Sequence, residues 1–146
     1  MRKFEVVTSF KDKSINLPKR ATKYSAGYDI ESADVYVIKP GTIQLIDTGL
    51  KVDMLENEAL MIYPRSSLGI KKGLIMSNAV GIIDKDYYNN PNNEGHIMIP
   101  LFNFGQQDAI IQKGERVAQG VFQKYLITSD DESSNERTGG FGSSGQ

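Results

Sequence analysis

Short apolar runs rich in β-branched residues recur along the chain between glycine, proline and asparagine punctuation. Met1-Arg2-Lys3-Phe4-Glu5-Val6-Val7 reads as the first strand. Val35-Tyr36-Val37-Ile38 stops at the turn signal Lys39-Pro40-Gly41. Ile43-Gln44-Leu45-Ile46 passes through Thr48-Gly49 to Leu50-Lys51-Val52, and Ala59-Leu60-Met61-Ile62-Tyr63 ends at Pro64. Gly73-Leu74-Ile75-Met76 precedes Ser77-Asn78. Ile97-Met98-Ile99 and Leu101-Phe102 flank Pro100, which predicts an edge or bulge there because proline lacks an N–H. Ala109-Ile110-Ile111 and Val117-Ala118-Gln119-Gly120-Val121-Phe122 complete the set. Nowhere does an i, i+3, i+4, i+7 pattern persist for three turns, so the only helix expected is a short one over Ser66–Lys72. Strands at this spacing predict an all-β protein, a sandwich or jelly roll.

From about Thr128 the pattern stops. Thr128-Ser129-Asp130-Asp131-Glu132-Ser133-Ser134-Asn135-Glu136 has nothing to bury, and Arg137-Thr138-Gly139-Gly140-Phe141-Gly142-Ser143-Ser144-Gly145 follows it. The chain thus divides into a β core over residues 1–127 and a flexible C-terminal arm over 128–146. Composition leaves the arm open to two readings. One is a frayed terminus. The other is a phosphate clamp, in which side-chain-free amides cradle oxygens and an arginine binds them bidentately.

Composition narrows the chemistry. At 146 residues the chain is one domain's worth, with fourteen glycines, seven tyrosines, six phenylalanines and no tryptophan. Without cysteine there is no disulfide, thiol nucleophile or thiolate zinc site. A lone histidine, His96, excludes a multi-histidine metal centre but not carboxylate-bound magnesium. A net charge of −1 excludes nucleic-acid binding by bulk electrostatics, so an anionic ligand must be met by a few placed arginines and amides. No apolar run approaches the ~18 residues of a membrane span, and the start lacks a signal-peptide core. A cytoplasmic enzyme is expected, with no membrane or nucleic-acid partner.

Several segments carry candidate chemistry, each with a plainer reading beside it. Pro64-Arg65-Ser66-Ser67-Leu68-Gly69 puts a guanidinium and two hydroxyls where a strand turns into a helix: an anion site, or an N-capping serine beside a surface arginine. Asn78-Ala79-Val80-Gly81-Ile82-Ile83-Asp84-Lys85-Asp86-Tyr87 sets carboxylates behind an apolar strand, either to activate a water at phosphorus or merely to form a hairpin turn. Ala26-Gly27-Tyr28-Asp29-Ile30 and Gly114-Glu115-Arg116-Val117-Ala118-Gln119 read alone as a glycine bend and a turn entering a strand.

Taken in order, these four segments and residues 137–145 resemble the five motifs of the trimeric dUTPase family, over nearly the whole chain. The resemblance implies the family's jelly-roll-like β-clip fold and hydrolysis of dUTP to dUMP and pyrophosphate, limiting uracil in DNA and supplying dUMP. It implies that Asp84 activates the water that attacks the α-phosphorus, and that Tyr87 packs on the deoxyribose and leaves no room for a 2′-hydroxyl. Asn78, with the backbone of Gly81, Ile82 and Ile83, would read uracil beside an apolar Met98. Arg65, Ser66, Ser67 and Gln119 would contact phosphates. Arg137, Ser143 and Ser144 would bind the terminal phosphate, with Gly142 between them and Phe141 over the base. Mg²⁺ would be held by the triphosphate and waters, with Asp29 reaching it through water. The implied assembly is a homotrimer whose pockets draw the first, second and fourth motifs from one chain, Asp84 from another and the arm from a third.

Two departures stand out. Where the family has a very short link, Tyr88-Asn89-Asn90-Pro91-Asn92-Asn93-Glu94 intervenes, which reads as a surface hairpin extension or, alternatively, a partner-binding loop. Arg137 also lies one residue closer to Phe141 than in many members. Two other readings compete. A dCTP deaminase shares the fold, but Pro100 stands where its catalytic glutamate would be. A nucleotide-sensing regulator acting through a partner would keep the pocket, yet gain nothing from Asp84.

Overall fold

The structure is a computed structural model that describes residues 1–140. Two antiparallel sheets enclose one apolar core, as the alternating pattern predicts. The first sheet runs in the order β1 (Lys3–Val6), β5 (Ile43–Asp53), β9 (Ile97–Asn103), β7 (Leu74–Met76). The second runs β2 (Lys19–Arg20), β3 (Tyr28–Glu31), β11 (Arg116–Lys124), β6 (Glu58–Pro64), β8 (Gly81–Asp84). A two-stranded ribbon of β4 (Tyr36–Ile38) and β10 (Ala109–Ile111) completes the fold. Among the described residues there is one α-helix, α1, which covers Ser66–Lys72 and stops at Gly73, whose φ of +66° suits the left-handed closing residue. Residues 66–72 are thus helical where expected, and the all-β class holds.

β9 shows the pairing of sequence and burial most clearly. Ile97, Ile99, Leu101 and Asn103 are buried while Met98, Pro100 and Phe102 face outward, the two-residue period of a strand with one buried face. Ile30, Ile46, Leu60, Ile62 and Leu74 close the core from both sheets. Asn103 sits in that core because its side chain is satisfied: its amide donates to the carbonyls of Ile38 and Gln107 at 2.8 Å, and its oxygen accepts from the Gly105 N–H.

Two expectations need correction. Residues 43–52 do not form two strands but a single eleven-residue β5, kinked by a bulge at Thr48 and Gly49 where the register to β9 slips. Gly49 has φ +73°, and the Thr48 hydroxyl donates to the Ile97 carbonyl at 2.6 Å, which stabilises the kink. Pro100 is not on an edge strand, since β9 lies between β5 and β7. It is tolerated because N–H and C=O point the same way at each residue of an antiparallel strand. Its carbonyl meets the Ser77 amide at 3.0 Å, just where β7 has ended, so only a terminal bond is missing.

Candidate active site

β6 is the strand that orders the chemistry, because candidate groups collect at both of its ends. At its start, β8 pairs beside it with Asp84 opposite Ala59 and Gly81 opposite Ile62. β8 is an edge strand, so its second row of backbone N–H and C=O groups faces outward and is free to read a flat, hydrogen-bonding ligand. A cavity of about 250 Å³ opens there, lined by Ile62, Met76, Asn78, Gly81, Ile82, Ile83, Asp84, Tyr87, Met98 and Pro100, with Arg137 and Gly140 at its mouth. The turn before β8 is not a two-stranded hairpin. β7 pairs with β9 and β8 with β6, and Ala79 takes a φ of +62° to carry the chain from one sheet to the other. Asn78 lies against Gly81, where a Cβ would stand 3.4 Å from its amide nitrogen.

Asp84 ends β8 with its carboxylate half exposed, and a single 3₁₀ turn over Lys85–Tyr87 follows. That turn buries Tyr87, whose hydroxyl donates to the His96 carbonyl at 2.6 Å and accepts from the Asn93 side-chain amide at 2.9 Å. Burial raises the phenol's pKa above its ordinary value, so at neutral pH it is a hydrogen-bonding wall and not a base. Arg137 binds Asp84 at 2.6 Å and Asp86 at 2.7 Å, and Gly140 passes so close to the Tyr87 ring that a Cβ there would collide with Cε1. The described residues of the arm lie on their own chain's Asp84 and Tyr87, with Arg137 between two carboxylates and Gly139 and Gly140 close against Asn92 and the Tyr87 ring. Phe141, Gly142, Ser143 and Ser144 lie outside the described residues.

The second group sits at the far end of β6. Gln119 of β11 pairs with Tyr63 on one side and Asp29 of β3 on the other. Its side chain crosses Gly27, where a Cβ would collide with Oε1, and donates to the Pro64 carbonyl at 3.3 Å. Arg65 follows Pro64 as the N-cap of α1. Neither Ser66 nor Ser67 caps the helix, so the capping reading of the serines does not hold. Asp29 faces two guanidiniums, Arg65 at 3.4 Å and Arg116 at 3.5 Å. A groove of about 330 Å³ between Arg65, Ser67, Lys71 and Arg116 makes this a cationic end suited to phosphate.

Sequence reasoning missed three participants: Arg116, which shares Asp29; Asp86, which shares Arg137; and Asn93, which holds Tyr87. The first two were signalled by charge within quoted segments. Asn93 had no signal, since its partner is defined only by how the loop returns.

A cavity beside an exposed strand edge at one end of β6 and a groove lined by Arg65, Lys71, Lys72 and Arg116 at the other suit a ligand with a flat polar ring and an anionic tail. Comparison narrows this further. The dUTPase family model matches residues 13–145. The chain is 55% identical to the deoxyuridine 5'-triphosphate nucleotidohydrolase of Lactococcus lactis subsp. lactis, over 99% of this chain and 98% of that one. It is 40% identical to the enzyme of that name from Rickettsia massiliae, over 89% of this chain and 88% of the other. The dUTPase crystal structure from Streptococcus mutans superposes with a TM-score of 0.83 at 46% identity, covering 87% of this chain and 98% of that one. The chain belongs to the dUTPase family.

Proposed function

We propose that this chain hydrolyses dUTP to dUMP and pyrophosphate by water attack on the α-phosphorus, in pockets shared between the subunits of a homotrimer. Membership of the family and identity to the Lactococcus enzyme support the reaction. The observation that carries the shared pocket is the length of β6. Asp84 lies opposite Ala59 and Arg65 follows Pro64, so six residues at about 3.3 Å each set them roughly 20 Å apart. Set that far apart along one strand, the base and the phosphate clamp come onto one triphosphate more readily from two chains than from one. A second copy closes the gap by bringing its Arg65 end to this chain's Asp84. Exposed apolar side chains suit such an assembly: Ile43, Leu45 and Ile75 on the outer face of the first sheet, and Val37 opposite Ile110 on the ribbon.

In that pocket the outer edge of β8 and Asn78 hold uracil, Met98 packs against it, and Tyr87 stands under the sugar. Asp84 accepts the proton of the attacking water. Before that, Arg137 must leave Asp84, and the triphosphate supplies the stronger, multiply charged partner that draws it away. Arg65, Ser66, Ser67 and Gln119 orient the phosphates, with Phe141, Gly142, Ser143 and Ser144 closing over the ligand.

Among the described residues no cluster of three or more metal-ligating side chains occurs, and Asp29 already faces two arginines. That donor set fits a Mg²⁺ carried mainly by phosphate oxygens and water, with Asp29 as an outer partner through water. When bound, the ion offsets phosphate charge.

Asp84→Asn tests the reading, because it keeps the shape and removes the proton acceptor. With Mg²⁺ present, kcat for pyrophosphate release should fall by at least ~10²-fold while dUTP affinity changes little. Near-parental kcat would reduce Asp84 to a turn residue.

A further inference from the structure

Residues 88–94, which lengthen the link after Tyr87, reach the site through Asn93. They are not a loose hairpin extension. Asn90 is buried, and its amide donates to the Tyr87 carbonyl at 2.7 Å and to the Asn93 side-chain oxygen at 2.8 Å. Its own oxygen accepts from the N–H groups of Asn92 and Asn93 at 3.0 and 3.1 Å. Asn93 completes the knot, accepting from the Gly95 N–H at 3.1 Å and donating to the Tyr87 hydroxyl at 2.9 Å. The outer side of the loop is fastened to the N-terminal region and β5. The Glu94 carboxylate accepts from the Thr8 amide and hydroxyl and from Lys51 at 2.7 Å, and Lys51 also donates to the Asn89 side chain. The Tyr88 hydroxyl donates to Glu5.

This network grips Tyr87 at both ends, by its backbone carbonyl and by its hydroxyl. A wall that excludes one hydroxyl group has to be stiff. A yielding pocket discriminates poorly against a ligand that merely adds an oxygen, by about a hundredfold at best. A tyrosine fixed only at its Cα swings about χ1 and χ2, whereas one whose hydroxyl lies between a donor and an acceptor does not.

We infer that Asn93 is a positioning residue for sugar selection: residues 88–94 lock the Tyr87 ring through its hydroxyl, and rejection of a ribonucleotide depends on that lock. The inference rests on the proposal that Tyr87 faces the sugar. It assigns the lengthened link a role in specificity and not in partner binding.

The test measures kcat/KM for dUTP and UTP, and Tm, in the full-length parent and in Asn93→Ala, Asn93→Asp, Tyr87→Phe, Tyr87→Ala and the Asn93→Ala/Tyr87→Phe double variant. Asn93→Asp retains the oxygen that serves Asn90 and Gly95 and replaces the donor with a charged acceptor, which the Tyr87 hydroxyl can meet only by giving up the His96 carbonyl, so it reports even if Asn93→Ala fails to fold. The dUTP:UTP ratio should narrow about threefold to tenfold in each Asn93 variant, the range one hydrogen bond supports, mainly through better use of UTP. Tyr87→Phe, which also loses the bond to the His96 carbonyl, should narrow it at least as much, and the double variant should go no further than Tyr87→Phe alone, because the bond from Asn93 is already gone there. An equal fall for both substrates, or additive effects in the double variant, overturns the inference. So does an unchanged ratio in Asn93→Asp while Tyr87→Ala narrows it. If Tyr87→Ala itself leaves the ratio unchanged, the sugar-facing reading of Tyr87 fails first and the inference falls with it.

Discussion

Mixing two inactive variants gives the most direct test of a pocket built from two chains. Asp84→Asn removes the proposed base at one end of β6, and Arg65→Ala removes the proposed phosphate clamp some 20 Å away, by about six residues of strand. If both groups acted in one chain's pocket, every chain in a mixture would carry a broken site. If each pocket takes Asp84 from one subunit and Arg65 from its neighbour, an Arg65→Ala chain next to an Asp84→Asn chain has both native groups facing each other across the interface. In a ring of subunits mixed at random in equal amounts, each pocket has independent even odds for each group, so about one quarter of pockets are intact. The mixture should therefore recover roughly a quarter of the parental rate per chain, against parents reduced by about 10²-fold or more. The assay is pyrophosphate release after co-refolding, with native mass measurement to verify mixed assemblies. Mixed trimers with no activity above the parents would refute the shared pocket.

Two further outcomes follow from the arm and from buried charge. Deleting everything after Ser133 removes Arg137 and the glycine-rich segment but, among the described residues, no member of the apolar core, so turnover should nearly vanish while Tm and oligomer size stay close to parental. His96 is largely buried, and its Nε2 accepts the Gly49 N–H at 3.0 Å, so burial lowers its pKa below the ordinary 6.5. Unfolding then takes up a proton. Stability should be intact above pH 6.5 and decline as pH falls through that value toward the lower folded pKa. A second loss should begin below pH 4.5. There Glu58, lowered chiefly by its hydrogen bond from Arg2, and Glu94, lowered chiefly by that from Lys51, become protonated. Thermal melts across pH check both windows, and His96→Gln should abolish the first while sparing the second.

Short apolar, β-branched runs between turn residues were sufficient to place most strands, because a strand with a buried face needs apolar side chains and turns need glycine, proline or asparagine, as along β9. The short helix over Ser66–Lys72 was legible for the converse reason, a break in those runs closed by Gly73. Order and identity of the five segments were enough to name the family, which the family model and the Lactococcus relative bear out. Distance was not legible. That Asp84 and Arg65 stand at opposite ends of β6 follows from the β6–β8 register, which long-range pairing decides and no local pattern records. The merger of residues 43–53 into one bulged strand and the tolerance of Pro100 inside a sheet were likewise settled by which strands lie alongside. So was the work of residues 88–94. Four asparagines, a proline and a glutamate in one short stretch read as solvent-facing punctuation, because a polar residue's burial depends on partners that arrive from elsewhere. Here the partners are Tyr87, Thr8 and Lys51, and only the folded chain brings them within hydrogen-bonding distance.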